Sequence, residues 1–320
     1  MKEANEALFH ATMNLPAAAR HCGMTNKEMK LTFWEYLKYH DPDFEVTQDT
    51  TPIPRREEQS GKQTVPILPD LSQAKEYREP FIGGGSVAIE IGKRYPKMDI
   101  WVNDLYEPLY NFWCELRDNG REMRDQLVQL KYRYCEPASA RVLFQQSKEY
   151  LNGDKGDQSN LTRAVAFYVV NKCSFSGLTE SSSFSKQASE SNFSMRGIDR
   201  LPEYSLMIKD WKITNLSYEE LLTDNRDVFT YLDPPYDIRD NLYGRKGSMH
   251  KSFDHDAFAS NCDRFVGPQL VSYNSSQLVK DRFQGWTVGE FAHTYTMRSV
   301  GSYNTDQAER KELVLANYEV

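Results

Sequence analysis

The chain has 320 residues, 27% charged and 39% hydrophobic, which suits one large or two ordinary globular domains and excludes a collagen-like, low-complexity or wholly disordered protein. Its net charge of −7 argues against indiscriminate coating of nucleic acid. It leaves room for a local basic patch, because phosphate binding follows the local field.

No run approaches the roughly 18 apolar residues of a membrane helix. The opening Met-Lys-Glu-Ala-Asn-Glu has no apolar core of the secretory kind, so a soluble cytoplasmic protein is expected. Cys22, Cys114, Cys135, Cys173 and Cys262 lie far apart without a C-x-x-C pair, which predicts reduced, mostly buried thiols and no thiolate metal site. The six histidines form no ligand set, and His250 and His255 read as polar residues of a surface loop.

In chain order, apolar residues at helical spacing over 6–40, broken at Gly23 with Thr25 placed to cap a second helix, outline a helix-turn-helix. The outline fits either a small DNA-contacting or partner-binding appendage, or a helical pair packed on the main domain. Residues 41–64 are polar, with Pro52 and Pro54, and read as a linker.

From about residue 77 the pattern turns α/β. A Gly-rich turn precedes a helix Val87–Tyr95, and Met98–Val102 reads as a strand. Leu105–Leu116, 121–150 and 161–172 read as helices, and Ser174–Met195 as loops. Val228–Leu232, Gln269–Tyr273 and Lys311–Ala316 read as further strands. Strands alternating with helices imply a doubly wound sheet with its ligand at the strands' carboxyl ends.

Three segments carry chemistry. Glu79-Pro80-Phe81-Ile82-Gly83-Gly84-Gly85-Ser86 opens a helix. Its glycines allow close backbone approach to a ligand, and the helix N-terminus favours negative charge. It is neither a dinucleotide fingerprint nor a P-loop, and alone it is equally a tight turn. Val102-Asn103-Asp104 ends the next strand, where an acid either holds ribose hydroxyls, pointing to a nucleoside-containing cofactor, or caps the helix from Leu105. Tyr231-Leu232-Asp233-Pro234-Pro235-Tyr236 runs an apolar strand into an acid, two prolines and an aromatic. The prolines remove amide donors and leave carbonyl acceptors. Asp233 and the Pro234 carbonyl can then hold both hydrogens of an exocyclic amine, with Tyr236 stacked on the ring.

Asp-Pro-Pro-Tyr with an upstream Pro-Phe-x-Gly-Gly-Gly-Ser loop resembles the S-adenosylmethionine-dependent DNA adenine-N6 methyltransferases of the Dam (D12) type. The resemblance covers roughly residues 60–320 and includes Asn171-Lys172-Cys173-Ser174-Phe175-Ser176-Gly177-Leu178 and the closing 311–318. One element is degraded. The family's aromatic-x-Gly-Gly-Lys is matched only by Glu58-Gln59-Ser60-Gly61-Lys62.

The resemblance implies a Rossmann-like methyltransferase sheet carrying a helical DNA-recognition insertion and the helical N-terminal appendage. The divisions are an appendage over 1–57, a cofactor-binding part over 58–116, a target-recognition insertion over 117–215 and a catalytic part over 216–320. It further implies S-adenosylmethionine held by Lys62, Pro80, Phe81, Gly83, Gly84, Gly85, Ser86, Asp104 and Asp233. Catalysis falls to Asp233, Pro234, Pro235 and Tyr236 acting on a flipped adenine of double-stranded DNA, with no metal.

Residues 121–215 hold 14 Lys and Arg against 11 Asp and Glu. Candidates there for DNA contact are Lys131, Arg133, Asn171, Lys172, Phe175 and Arg196, with Arg141, Lys186 and Arg200 as further phosphate contacts. N4 of cytosine is the alternative target, and an inert DNA-binding protein with a vestigial methyltransferase domain is the alternative class. A bacterial or phage-infected host and a restriction-modification setting are what the resemblance suggests.

Overall fold

A computed structural model describes residues 2–9, 15–25, 28–29, 32–33, 36, 68–153, 156, 158–174, 182–236, 253–293 and 310–319. The chain separates into two compact units, Met1–Glu58 and Gln59–Val320.

In the first unit, helices α1 (Lys2–Phe9) and α2 (Leu15–His21) pack around Ala4, Ala18, Ala19 and Met29, all buried. Helical backbone resumes at Glu28 after the cap that the sequence predicts at Thr25.

The second unit is built on a seven-stranded sheet of order β3-β2-β1-β4-β5-β7-β6. Its strands are β1 (Glu76–Glu79), β2 (Asp99–Asn103), β3 (Lys212–Thr214), β4 (Val228–Leu232), β5 (Gln269–Asn274), β6 (Thr287–His293) and β7 (Arg310–Ala316). The first five are parallel, β7 runs antiparallel to β5, and β6 runs antiparallel to β7. The central strand β4, Val-Phe-Thr-Tyr-Leu, is buried at every position, as a parallel strand covered on both faces must be. Alternate residues serve opposite faces. Phe229, Tyr231, Leu270 and Val314 join one apolar cluster, while Leu232, Val271, Tyr273, Leu313 and Leu315 join the other.

Helix α3 (Ser86–Arg94) follows β1. After β2 comes α4 (Glu107–Arg133), kinked at Asn119, whose φ of −129° and ψ of 26° leave the helical region. At the kink Gly120 admits Ser205, since a Cβ there would lie 2.4 Å from the Ser205 Cβ. Helices α5 (Pro137–Leu151) and α6 (Asn160–Cys173) follow between β2 and β3, and Ala164–Val170 is buried throughout. The break that the sequence places at 117–120 coincides with the kink at Asn119, while the single helix it reads over 121–150 is divided before Pro137, where proline suits a helix start.

The expectation of loops over Ser174–Met195 is corrected in part. Helices α7 (Lys186–Ser191) and α8 (Met195–Asp199) form because serines act as caps. Ser185 Oγ accepts from Ala188 N–H and Ser194 Oγ from Gly197 N–H, each at 3.2 Å. Helix α9 (Leu201–Met207) then leads to β3. Helix α10 (His255–Asp263), capped by Asp254, and helix α11 (Gln277–Arg282), capped by Ser276, complete the unit. The thiols also differ from expectation. Only Cys173 and Cys262 are buried, Cys22 and Cys114 are half-buried, and Cys135 is exposed, all five being free.

No described helix is long and apolar enough to cross a membrane.

Candidate active site

The strand order reverses between β1 and β4. The chain winds outward through β2 and β3, then returns to lay β4 beside β1. Such a switch point opens a crevice at the carboxyl ends of the two strands. Here β1 ends in Glu79 and runs into the glycine loop, while β4 ends in Leu232 and runs into Asp233. The first and third chemical segments of the sequence therefore face one crevice.

Main-chain geometry and two polar side chains shape the glycine loop. Gly83 (φ +46°) and Gly85 (φ +68°) lie in the left-handed region. A Cβ on Gly83 or Gly84 would meet nothing within 4 Å, whereas one on Gly85 would come 2.5 Å from the Trp113 ring. Trp113 Nε1–H also donates to the Gly83 carbonyl at 3.2 Å, so the ring is a floor beneath the loop. Asp104 accepts from Gly83 N–H at 3.2 Å and from Tyr106 N–H at 2.9 Å. It is thus not the cap of a helix from Leu105. That helix starts at Glu107, and Asp104 braces the loop through an Asx turn. Partial burial raises its carboxyl to about 6, against the two amide hydrogen bonds.

Asn103, beside it, is buried and uses its whole amide. Its Nδ2 donates to the carbonyls of Pro80 (3.1 Å) and Leu216 (3.0 Å), and its Oδ1 accepts from Thr214 Oγ1 and Leu216 N–H, both at 2.8 Å. Pro80 is buried by this tie at the end of β1. Phe81 turns towards an aromatic group, stacked on Tyr218 at 5.6 Å and edge-on to Phe253 and Phe258. Ser86 is exposed at the start of α3, whose N-terminus takes no side-chain cap from Gly85.

On the β4 side, Pro234 is buried and Pro235 and Tyr236 are half-buried. The Tyr236 hydroxyl donates to Glu312 Oε1 at 2.9 Å, and its ring stacks on Tyr273 at 6.1 Å and 21°. Protein atoms crowd Asp233 although part of its surface opens to the crevice. That lost hydration, with the nearby Glu312 carboxylate, raises its carboxyl above the usual range, and a hydrogen bond from Tyr236 opposes the rise. His255 is corrected from a loop residue to the first residue of α10. It is hydrogen-bonded through Nδ1 to the Tyr273 hydroxyl and edge-on to Phe253.

Beneath the crevice Glu79 is buried, with Tyr77 donating to it at 2.7 Å. Burial lifts its carboxyl to about 8. Asp233 and Asp104 add to the rise, while the Tyr77 hydroxyl and the Ala88 N–H oppose it. Three carboxyl groups from three strand ends therefore converge. Sequence reasoning does not single out Glu79, Asn103, Trp113, Tyr273 or Glu312 as site residues. Of these, Glu79, Asn103 and Glu312 stand inside segments it recognises, Glu312 in the closing 311–318.

The residues of 117–215 expected to contact DNA are spread over several helices. Lys131 Nζ donates to the Ser189 carbonyl at 3.0 Å and lies 4.9 Å above the Phe193 ring, so it ties α4 to α7. Arg133 is exposed over Tyr134, and Arg196 is exposed on α8. Asn171 and Lys172 are half-buried at the end of α6, where burial lowers the Lys172 ammonium below its usual value. Arg200 lies over Tyr204, and Arg141 and Lys186 stand on α5 and α7. Lys62, Phe175 and His250 lie outside the described residues. Among the described residues no group of three or more His, Cys, Asp or Glu could hold a metal ion.

A Type II methyltransferase, M.MjaIII of Methanocaldococcus jannaschii, is 23% identical over 171 residues, which cover 51% of this chain and 58% of that protein. The chain thus spans little more than half the length of that curated relative. Residues 62–297 match the D12 class of N6 adenine-specific DNA methyltransferases, a span that holds the glycine loop, Asp104 and Asp233–Tyr236. By that match, the chain belongs to the D12 class N6 adenine-specific DNA methyltransferase family.

Proposed function

We propose that this chain transfers a methyl group from S-adenosylmethionine to N6 of adenine in double-stranded DNA. The observation that carries the reading is the meeting of the glycine loop and Asp233–Tyr236 at adjacent carboxyl strand ends.

The residues present suit the cofactor. Gly83 and Gly84 leave open space where side chains would project, and α3 presents an N-terminus without a side-chain cap on Gly85. Gly83–Ser86 and that N-terminus would take the anionic amino-acid end, and Asp104 has acceptor capacity left for hydroxyls. Lys62, Pro80 and Phe81 complete the proposed set. When bound, the cofactor supplies an electrophilic methyl sulfonium.

Everything else falls to this chain. A base in a duplex is out of reach and must be flipped, at a cost of a few kcal/mol. Stacking on Tyr236 returns about 1–3 kcal/mol of it. The adenine amine is a poor nucleophile because its lone pair is delocalised into the ring. Ionised Asp233 and the Pro234 carbonyl accept its two hydrogens and favour the pyramidal nitrogen that attacks. This is positioning with electrostatic stabilisation, and it uses neither a cysteine nor a metal. Pro235 fixes the turn that aims Tyr236.

The insertion over 117–215 is proposed to read DNA. Arg133 and Arg196 are among its exposed cations, Asn171 and Lys172 lie near the end of α6, and Phe175 follows in sequence. Lys131 is partly committed to packing.

The test incubates the protein with labelled S-adenosylmethionine and unmethylated DNA, then identifies the labelled nucleoside, with Asp233→Ala in parallel. Label in N6-methyladenosine that disappears in the variant is the expected result. Label in N4-methylcytidine would change the target base, and no label in any nucleoside would overturn the reading.

A further inference from the structure

One aromatic cluster touches both segments that meet at the crevice. Phe81, at the head of the glycine loop, and Tyr236, at the end of the segment after β4, pack against the same buried group that includes Phe258 and Tyr273. The steps between them are short. Phe81 stands edge-on to Phe253, with ring centres 5.9 Å apart, and to Phe258 at 6.0 Å. Phe253 is edge-on to His255 at 5.0 Å, and Phe258 lies 6.4 Å from Tyr273. Tyr273 carries the stacked Tyr236 ring at 6.1 Å.

A cluster built only to exclude water has no use for polar atoms. Phenylalanine in place of both His255 and Tyr273 would bury as much apolar surface. The chain instead sets an imidazole and a phenol there, hydrogen-bonded to each other through His255 Nδ1. Tyr273 is 1% exposed, so its hydroxyl is cut off from water and needs a protein partner.

That partner stands on a fixed point. Asp254 accepts from Asp256 N–H at 3.1 Å and from Ala257 N–H at 2.9 Å, the cap that makes His255 the first residue of α10. The hydrogen bond thus ties a ring on β5 to a helix start and sets the tilt of the face on which Tyr236 rests. On its other side His255 meets Phe253, which leans on the cofactor-side Phe81. Edge-to-face rings keep preferred orientations, and a packed interior leaves little room for one to move alone.

We propose that His255 and Tyr273 are positioning residues that make cofactor binding and stacking of the flipped base interdependent. The inference rests on the reading of the crevice as the site of both. Cofactor seated on the glycine loop fixes Phe81, and the cluster passes that order to Tyr236. By linkage the base then tightens the cofactor by the same factor.

The test uses the full chain. Methylation of unmethylated DNA with labelled cofactor and mapping of the labelled adenines give a short duplex in which 2-aminopurine replaces the target base. Its fluorescence reports unstacking from the duplex, and it has no N6 amine, so S-adenosylmethionine binds without transfer. If no adenine is labelled, the reading of the crevice falls and this inference falls with it. With labelling established, the dissociation constant of S-adenosylmethionine is measured with and without the duplex, alongside the fluorescence. In the parent the duplex is expected to tighten the cofactor about fivefold or more. Tyr273→Phe, which loses one hydroxyl, and His255→Phe are expected to bring that factor close to one while affinity without DNA is kept. His255→Asn, whose amide reaches the Nδ1 position, is expected to restore it. A parent factor of one overturns the proposal while methyl transfer stands, and so do factors in Tyr273→Phe and His255→Phe equal to the parent's.

Discussion

Tyr236, just past β4, donates a hydrogen bond of 2.9 Å to Glu312 on β7, across the intervening β5. Glu312 also accepts from Ser272 Oγ on β5 at 3.1 Å, and the Tyr236 ring stacks on Tyr273 of the same strand. The aromatic that would carry the flipped base is therefore fixed to the antiparallel end of the sheet. The same Glu312 carboxylate helps raise Asp233.

The two roles of Glu312 separate by substitution. An Asp233 that must be ionised to accept amine hydrogens loses function as pH falls through its raised pKa. Glu312→Gln keeps an oxygen for Tyr236 but removes the charge, so Asp233 ionises at lower pH and the acid limb of the rate shifts down. Glu312→Ala releases the ring as well, and single-turnover methylation falls about 10–100-fold. Rates of both variants over an acid-to-neutral pH series check this; an unmoved acid limb in Glu312→Gln would count against the charge coupling.

Glu79 makes the protein's stability depend on pH in the less common direction. Its folded pKa of about 8 stands above the ordinary 4.5 because burial outweighs its hydrogen bonds. Between those values the folded state holds a proton that the unfolded state has lost. This contribution is intact below about 4.5 and is lost as pH rises through about 8. Glu79→Gln has no charge to bury. Relative to the parent, it should gain on the order of a few kcal/mol between the acid and alkaline ends of that window. Urea melts of both proteins at the two ends measure the gain. A constant difference between them would show that Glu79 does not titrate in the window.

Gly85 meets two restrictions at once. Its φ of +68° suits glycine, and a Cβ would enter the Trp113 ring at 2.5 Å. Gly85→Ala must therefore move either the loop or the tryptophan, at about 1–3 kcal/mol of stability. Gly84 has open space and no left-handed φ, so Gly84→Ala should leave stability nearly unchanged while intruding on the cofactor's approach. Thermal melts with S-adenosylmethionine titrations distinguish them, stability failing first in one and affinity in the other.

Strand ends and helix caps are legible in this sequence to different degrees. β4 reads with its observed bounds because five apolar or β-branched residues run unbroken into Asp-Pro-Pro. β6, with Gly289, Glu290 and a polar rim, gives no such run, and its identity comes from pairing with β7. The serine-rich stretch misleads for a physical reason: serine signals a loop by composition, yet Ser185 and Ser194 sit one residue before helices that they cap. Asp233 and the glycine loop are legible because their neighbours in sequence are their neighbours in the crevice. Glu312 lies 76 residues from Tyr236, and Trp113 lies 30 from Gly83, so nothing local marks either pair. Asp104 reads as a ligand or a cap because its hydrogen bond to a loop 21 residues upstream leaves no trace in spacing.

Asn103 is the least conspicuous of these residues and gives the sharpest stability prediction. Buried between β1 and the start of the segment after β3, it satisfies the Pro80 and Leu216 carbonyls and the Leu216 N–H in addition to Thr214. Asn103→Leu is close in volume but leaves the buried Pro80 carbonyl and the part-buried Leu216 carbonyl and N–H without their partner. A buried unsatisfied group costs about 1–3 kcal/mol and the Leu216 groups lie near the surface, so the loss should be about 1–3 kcal/mol. Because the Pro80 carbonyl would be released at the mouth of the crevice, cofactor affinity should fall together with stability. Asn103→Asp retains the two acceptor bonds at Oδ1 and loses the two donor bonds, and it should fall between the parent and Asn103→Leu in both. Chemical denaturation and cofactor titration of the two variants measure the order, and equal effects in both would show that the donor half carries the whole tie.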